Sequence, residues 1–230
     1  MARFDKLQVI SKMADTGMVP VFYHADRQAA CRVIQSCYEG GVRVFEFTNR
    51  GDFAQDVFAY CMDYVSEYCP DLALGVGSVV DAPTAALYIQ MGACFVVGPL
   101  FNEEVAKVCN RRQIPYVPGC GTVSEIGYAQ EIGCEITKVF PGETYGPSFI
   151  KALMAPCPWT RVMVTGGVSP DEDNLRGWFQ AGAFCVGIGS KLFPKGSVSE
   201  GNWSAVTQRC REVLTLIKQI RAQRIFPVGG

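Results

Sequence analysis

Short apolar runs rich in Val, Ile and Phe alternate along this chain with longer amphipathic stretches. The runs are MVPVFY (18–23), VRVFEFT (42–48), LALGVGS (72–78), FVVGP (95–99), YVPG (116–119), ITKVF (136–140), RVMVT (161–165) and CVGIG (185–189). Each has the length of a strand. Between them, residues 29–40, 53–68 and 82–91 carry apolar positions at helical spacing, and a leading helix is expected over about 2–15. The last segment, 205–224, places Val206, Cys210, Val213, Leu214, Ile217 and Ile220 on one helical stripe. Glycine steps at Gly40-Gly41, Gly92, Gly133 and Gly182 precede strands and read as helix C-termini. Eight strands alternating with helices predict a parallel sheet, and the count of eight favours a closed (β/α)8 TIM barrel with an extra N-terminal helix. A doubly wound open sheet is the weaker alternative, because no G-x-G-x-x-G follows the first strand. No linker or longer repeat interrupts the pattern. The expectation is therefore a single α/β domain over residues 1–230, with its barrel core at about 18–224.

Composition narrows the function classes. Lys and Arg number 21 and Asp and Glu 22, a net charge of −1 over 230 residues. That balance argues against a nucleic-acid surface or a polybasic membrane patch, which need clustered positive charge. Hydrophobic residues make up 49% of the chain, enough for a large core, yet no apolar run approaches the roughly 18–20 residues of a spanning helix. The start, MARFDKLQVISKMADTG, lacks a secretory core and cleavage site, so a soluble, unexported protein is expected. Eleven cysteines are irregularly spaced, none as C-x-x-C, and several lie in apolar segments, as Cys94 and Cys185 do. Buried, reduced thiols are the expectation. The single histidine, His24, excludes multi-histidine metal sites, and no metal or cofactor is called for.

In a barrel of this kind the chemistry lies at the C-terminal ends of the strands. In VRVFEFT, period-2 alternation puts Val44, Glu46 and Thr48 on one face, with Arg50 following in register. Phe45 and Phe47 suit the helix layer, so Glu46 and Thr48 should face the interior. A carboxylate there is costly unless paired or used; an ion pair with Arg50 holding the mouth is the purely structural alternative. In ITKVF, Ile136, Lys138 and Phe140 share a face, and of the eight lysines only Lys138 falls within an apolar strand. Desolvation lowers such a lysine's pKa and favours the neutral amine that attacks carbonyls. The alternative is a lysine paired with Glu46 for stability alone. Thr165-Gly166-Gly167 and Gly187-Ile188-Gly189-Ser190-Lys191 end the last two strands, where this fold commonly binds phosphate with backbone N–H groups. Gly75, Gly77 with Ser78, Gly98 with Pro99, and Gly119 close other strands, and tight turns are the preferred reading of most of these glycines. His24 is open between an anion-binding cation and a helix-entry residue.

Together these residues resemble the 2-keto-3-deoxy-6-phosphogluconate / 4-hydroxy-2-oxoglutarate aldolase family of class I aldolases. The pieces are GGVRVFEFTNR (40–50), GVGSV (75–79), PYVPG (115–119), TKVFPGE (137–143), VTGGV (164–168) and GIGS (187–190). The resemblance implies Lys138 as the Schiff-base lysine and Glu46 as the acid/base working through a water. It implies Arg50 and Ser78 as holders of the keto acid's carboxylate, and Gly166, Gly167 and Ser190 as the distal phosphate site. Thr48, Pro99, Thr165 and Gly189 complete the expected substrate contacts. A homotrimeric, cytoplasmic, metal-free lyase of sugar-acid catabolism is implied, releasing pyruvate and an aldehyde. Ile188 stands where members often carry glycine, and His24 where some carry arginine; both bear on the phosphate. A sugar-phosphate isomerase and a non-catalytic anion-binding barrel are the rivals, and an unphosphorylated keto-deoxy acid is the alternative substrate.

Overall fold

Every predicted apolar run contributes a strand in the computed structural model of the chain, which describes residues 2–223. Residues 224–230, with the end of the last predicted helix and of the predicted barrel core, lie outside the described residues. The strands are β1 (Met18–Phe22), β2 (Val44–Thr48), β3 (Ala73–Gly77), β4 (Val96–Val97), β5 (Tyr116–Val117), β6 (Gly119–Cys120), β7 (Thr137–Val139), β8 (Val162–Thr165) and β9 (Cys185–Ile188). All neighbours pair in parallel, in the order β5-β4-β3-β2-β1-β9-β8-β7-β6. The two end strands of that order are halves of one run. Pro118, which has no N–H to give a ladder, separates β5 from β6. β5 pairs with β4 and β6 with β7, so the eight staves close into a TIM barrel.

The helices are α1 (Lys6–Thr16), α2 (Arg27–Glu39), α3 (Ala54–Tyr68), α4 (Ala82–Gln90), α5 (Glu103–Arg111), α6 (Val123–Glu131), α7 (Gly142–Met154), α8 (Glu172–Ala181) and α9 (Trp203–Ala222). Side chains of Asp26, Asp81, Asn102 and Thr122 accept first-turn N–H groups and start helices directly out of the strand-end loops. At the Gly40-Gly41 step the left-handed residue is Gly41, at φ 101°, while Gly40 keeps right-handed helical geometry.

Alternation along the strands separates two apolar layers. Phe45, Phe47, Val139, Val162, Val164 and Ile188 pack outward beneath the helices. Val19, Val44, Ala73, Phe95, Val97, Val117, Ile136 and Met163 fill the barrel together with Val9 and Met13 of α1. α1 therefore plugs the N-terminal end, leaving the opposite mouth for polar groups. Among the described residues no helix is long and apolar enough to cross a membrane. All eleven cysteines are free thiols; ten are buried and Cys157 is half-buried.

Candidate active site

Above the apolar plug the inward positions turn polar. β2 carries Val44 in the inner cluster, then Glu46 and Thr48 at 1% and 2% exposure. β7 places Lys138, at 5% exposure, one inward step above Ile136. Its Nζ lies over the Phe140 ring, 4.9 Å from the centroid. Glu46 forms no ion pair within 4.0 Å with Lys138 or Arg50, so neither of the purely structural pairings expected as alternatives is present. Glu46 Oε2 is buried without a hydrogen-bond partner. A buried carboxylate oxygen left unbonded costs stability, as groups reserved for a reacting ligand do.

Burial raises the Glu46 pKa above the ordinary carboxylate range, against the opposing charges of Lys138 and Arg50. Burial also lowers the Lys138 pKa; the Arg50 charge lowers it further, while Glu46 raises it. Both shifts favour neutral forms: an amine with a free lone pair, and a carboxyl that holds and releases a proton nearer neutrality.

Room for the Glu46 carboxylate comes from a glycine on the neighbouring strand β3. Glu46 pairs in register with Gly75, and Thr48 with Gly77. A Cβ at Gly77 would overlap Glu46 Oε1, and one at Gly75 would overlap the Phe95 ring. Both glycines lie within β3 at ordinary φ, so the expected turn role is corrected: they exist for space. Gly119, beside Lys138 in register, lies against the Pro99 carbonyl, and Gly187 against Thr165 Oγ1. The Thr165 hydroxyl is a second buried polar group without a partner.

The mouth opens into a cavity of about 560 Å³. Its wall includes Thr48, Arg50, Phe140, Thr165, Gly166, Gly167, Gly189, Ser190 and Lys191. Glu46 and Lys138 are not on that wall; they lie one inward position below Thr48 and Phe140 on the same strand runs, buried beneath it. Ser78 and Pro99 are half-buried and not on that wall; Ser78 takes a left-handed φ of 62°, uncommon for serine. His24 is also off the wall, stacked on Phe22 with its Nδ1 accepting from the Asp26 N–H at 3.0 Å, a helix-entry role. Ile188 is fully buried in the outer layer and takes nothing from the cavity. Phe140, on the face shared with Lys138, is on the wall, as are the aromatics Phe22, Tyr23 and Phe193, which were not singled out in the sequence. The signal available was that Phe22 and Tyr23 end a strand at the mouth.

Comparison with known proteins gives a family and a fold. The family described as "Aldolase: KDPG and KHG aldolase" matches residues 9–209. The KHG/KDPG aldolase of Escherichia coli K12 is 30% identical over 199 residues, covering 86% of this chain and 90% of that protein. The 2-dehydro-3-deoxy-phosphogluconate aldolase of Haemophilus influenzae is 29% identical over 212 residues, 92% and 97% of the two chains. A solved structure of KDPG aldolase from Legionella pneumophila, with pyruvate captured as a covalent carbinolamine, superposes with a TM-score of 0.80 at 25% identity. It covers 89% of this chain and 97% of that one.

Proposed function

The chain belongs to the KDPG and KHG aldolase family, and from that premise we propose that it cleaves a 2-keto-3-deoxy-6-phospho sugar acid to pyruvate and glyceraldehyde 3-phosphate through a Schiff base on Lys138. It is a class I carbon–carbon lyase. The observation that carries the residue assignment is the pairing, inside one barrel, of a buried lysine with lowered pKa and a buried glutamate with raised pKa and a free oxygen.

The neutral Lys138 Nζ attacks the C2 carbonyl, and loss of water from the carbinolamine leaves an iminium that draws electrons from C3. Glu46, through a water, takes the proton of the C4 hydroxyl. The C3–C4 bond breaks, the aldehyde departs, and the remaining enamine is protonated at C3. Water then attacks the iminium, freeing pyruvate and the amine. Proton transfer by a positioned carboxyl contributes about 10²–10⁴ in rate. Arg50 at the cavity edge supplies a bidentate partner for the keto acid's carboxylate, with Thr48 on the same wall; Ser78 and Pro99, just past the ends of β3 and β4, complete its expected contacts. Gly166, Gly167, Gly189 and Ser190 supply N–H groups and a hydroxyl for the phosphate, and Thr165 a hydroxyl along the substrate. 4-Hydroxy-2-oxoglutarate, giving pyruvate and glyoxylate, is the second substrate. The reading includes one barrel domain per chain, three chains per particle and a cytoplasmic setting, with no metal or cofactor.

Incubation with pyruvate and borohydride, followed by peptide mass spectrometry, tests the lysine directly. One reduced adduct on Lys138, lost in Lys138→Ala, is expected. Adducts scattered over surface lysines, or full cleavage by Lys138→Ala, would refute the assignment. Assays with glyceraldehyde 3-phosphate against glyoxylate in the condensation direction then identify the aldehyde, and light scattering counts the subunits.

A further inference from the structure

The anion-facing turn after β8 contains a peptide whose direction is set from outside the cavity. Gly166 and Gly167 both adopt left-handed φ, 92° and 71°, which lets the chain reverse sharply at the cavity wall. On one side the turn is closed by the start of α7. A Cβ on Gly142 would lie 2.5 Å from the Gly166 carbonyl, and one on Gly167 would lie 2.7 Å from Glu143 Cβ. On the other side stands Asn174, in the first turn of α8 and half-buried. Its Nδ2 donates to the Gly167 carbonyl at 3.0 Å, and its Oδ1 accepts from the Ser169 N–H at 2.9 Å. One amide thus spans the turn. Ser169 also donates its hydroxyl to Asp171, tying the same loop to the α8 N-terminus.

In a trans peptide the C=O and N–H point in opposite directions. The Gly167 carbonyl is turned out to Asn174, so the Val168 N–H of that peptide is turned the other way, and Val168 is on the cavity wall. That N–H has no acceptor among the described residues. Val168 is buried, and a buried backbone donor is ordinarily paired.

We propose that Asn174 is a positioning residue which, by holding the Gly167 carbonyl, keeps the Val168 N–H aimed at the anionic end of the substrate. The proposal rests on the phosphorylated-substrate reading above. Without the amide, the Gly167–Val168 peptide is free to rotate, and the donor is lost to the substrate while Lys138 and Glu46 stay untouched. Such a lesion raises KM for a phosphorylated aldehyde and leaves kcat alone.

The test compares wild type, Asn174→Ala and Asn174→Asp in condensation of pyruvate with glyceraldehyde 3-phosphate and with unphosphorylated glyceraldehyde. Asn174→Asp keeps the acceptor for Ser169 and removes only the donor to Gly167, so it carries the test if Asn174→Ala does not fold. Loss of one hydrogen bond predicts a KM for the phosphorylated aldehyde raised about three- to tenfold in both variants. The KM for glyceraldehyde, both kcat values and borohydride trapping of pyruvate should stay within about twofold, inside the same free-energy scale. A pure charge effect in Asn174→Asp would fade with added salt, whereas loss of the donor persists. Wild-type preference for the phosphorylated aldehyde with unchanged KM in the variants overturns the positioning role alone. A wild type that does not distinguish the two aldehydes overturns both this role and the phosphorylated substrate. Parallel losses with both aldehydes mark Asn174 as merely structural.

Discussion

Glu46 and Lys138 act on each other against the pull of burial. The carboxylate raises the lysine's pKa, which desolvation and Arg50 lower, and the ammonium lowers the carboxyl's pKa, which desolvation raises. The sign of a substitution follows. Replacing Glu46 by Gln removes a negative charge that favours the charged lysine, so the amine becomes neutral at lower pH. In Glu46→Gln the ascending limb of adduct formation should move to lower pH, while the maximal rate of cleavage falls by about 10²-fold or more as the acid/base is lost. The rate of borohydride trapping with pyruvate, followed across pH in both proteins, reads the limb independently of the cleavage step. A limb that stays in place, or moves up, would show that the Glu46 charge does not reach the lysine. Arg50 acts on the pair as a cation at the cavity edge, and it disfavours a second positive charge on Lys138. The same guanidinium that suits a substrate carboxylate therefore helps keep the amine a nucleophile.

β3 shows how an element is shaped for its neighbour. Gly77 sits beside Thr48 in register and against Glu46 Oε1, so Gly77→Ala forces the carboxylate aside. The backbone accepts the methyl, since φ at Gly77 is not left-handed. The expected result is a kcat reduced by about 10²-fold, within the range of misplaced acid/base groups, with thermal stability nearly unchanged. A variant that loses stability in step with activity would show instead that the carboxylate cannot yield. This role was not readable in GVGS, because a glycine that makes space and a glycine that makes a turn look alike in one dimension. The opposite was true of β2 and β7. There an E-x-T and an I-x-K alternation among apolar neighbours placed Glu46, Thr48 and Lys138 on the inward face, since period-2 geometry leaves them nowhere else. Ile188 was misleading for the same reason in reverse. Its departure from glycine drew suspicion in the sequence, yet it points outward into the helix layer. Phe193, on the cavity wall, was hidden because loop residues carry no periodicity, whereas Phe22 and Tyr23 lay in a predicted strand run whose end at the mouth could have been read.

Across the whole molecule, the two ends of the barrel divide stability from chemistry. α1 crosses the N-terminal end. Lys6 pairs with Glu135 at 2.8 Å, and Lys12 donates to the Asp71 carbonyl at 2.9 Å, just before β7 and β3 respectively. From that helix Val9 and Met13, both fully buried, enter the inner cluster beside Val44, Ile136 and Met163. Glu46 and Lys138 stand directly above Val44 and Ile136 on their strands, so the plug supports the floor of the site without touching it. Met13→Ala leaves a void in close-packed apolar surroundings and should cost about 2–5 kcal/mol. For a chain of this size that is on the order of 10 °C in melting temperature. Well below the new transition, kcat and KM should equal those of the wild type, because the void opens on the side away from the mouth. Thermal unfolding by circular dichroism, with kinetics at low temperature, separates the two quantities. A melting temperature that holds while kcat falls would mean that the plug sets the height of the catalytic floor, and that the barrel transmits packing from one end to the other. The glycine-made space around Glu46 argues for the first result: the carboxylate lies laterally against Gly77 of β3, and is not positioned from below by α1.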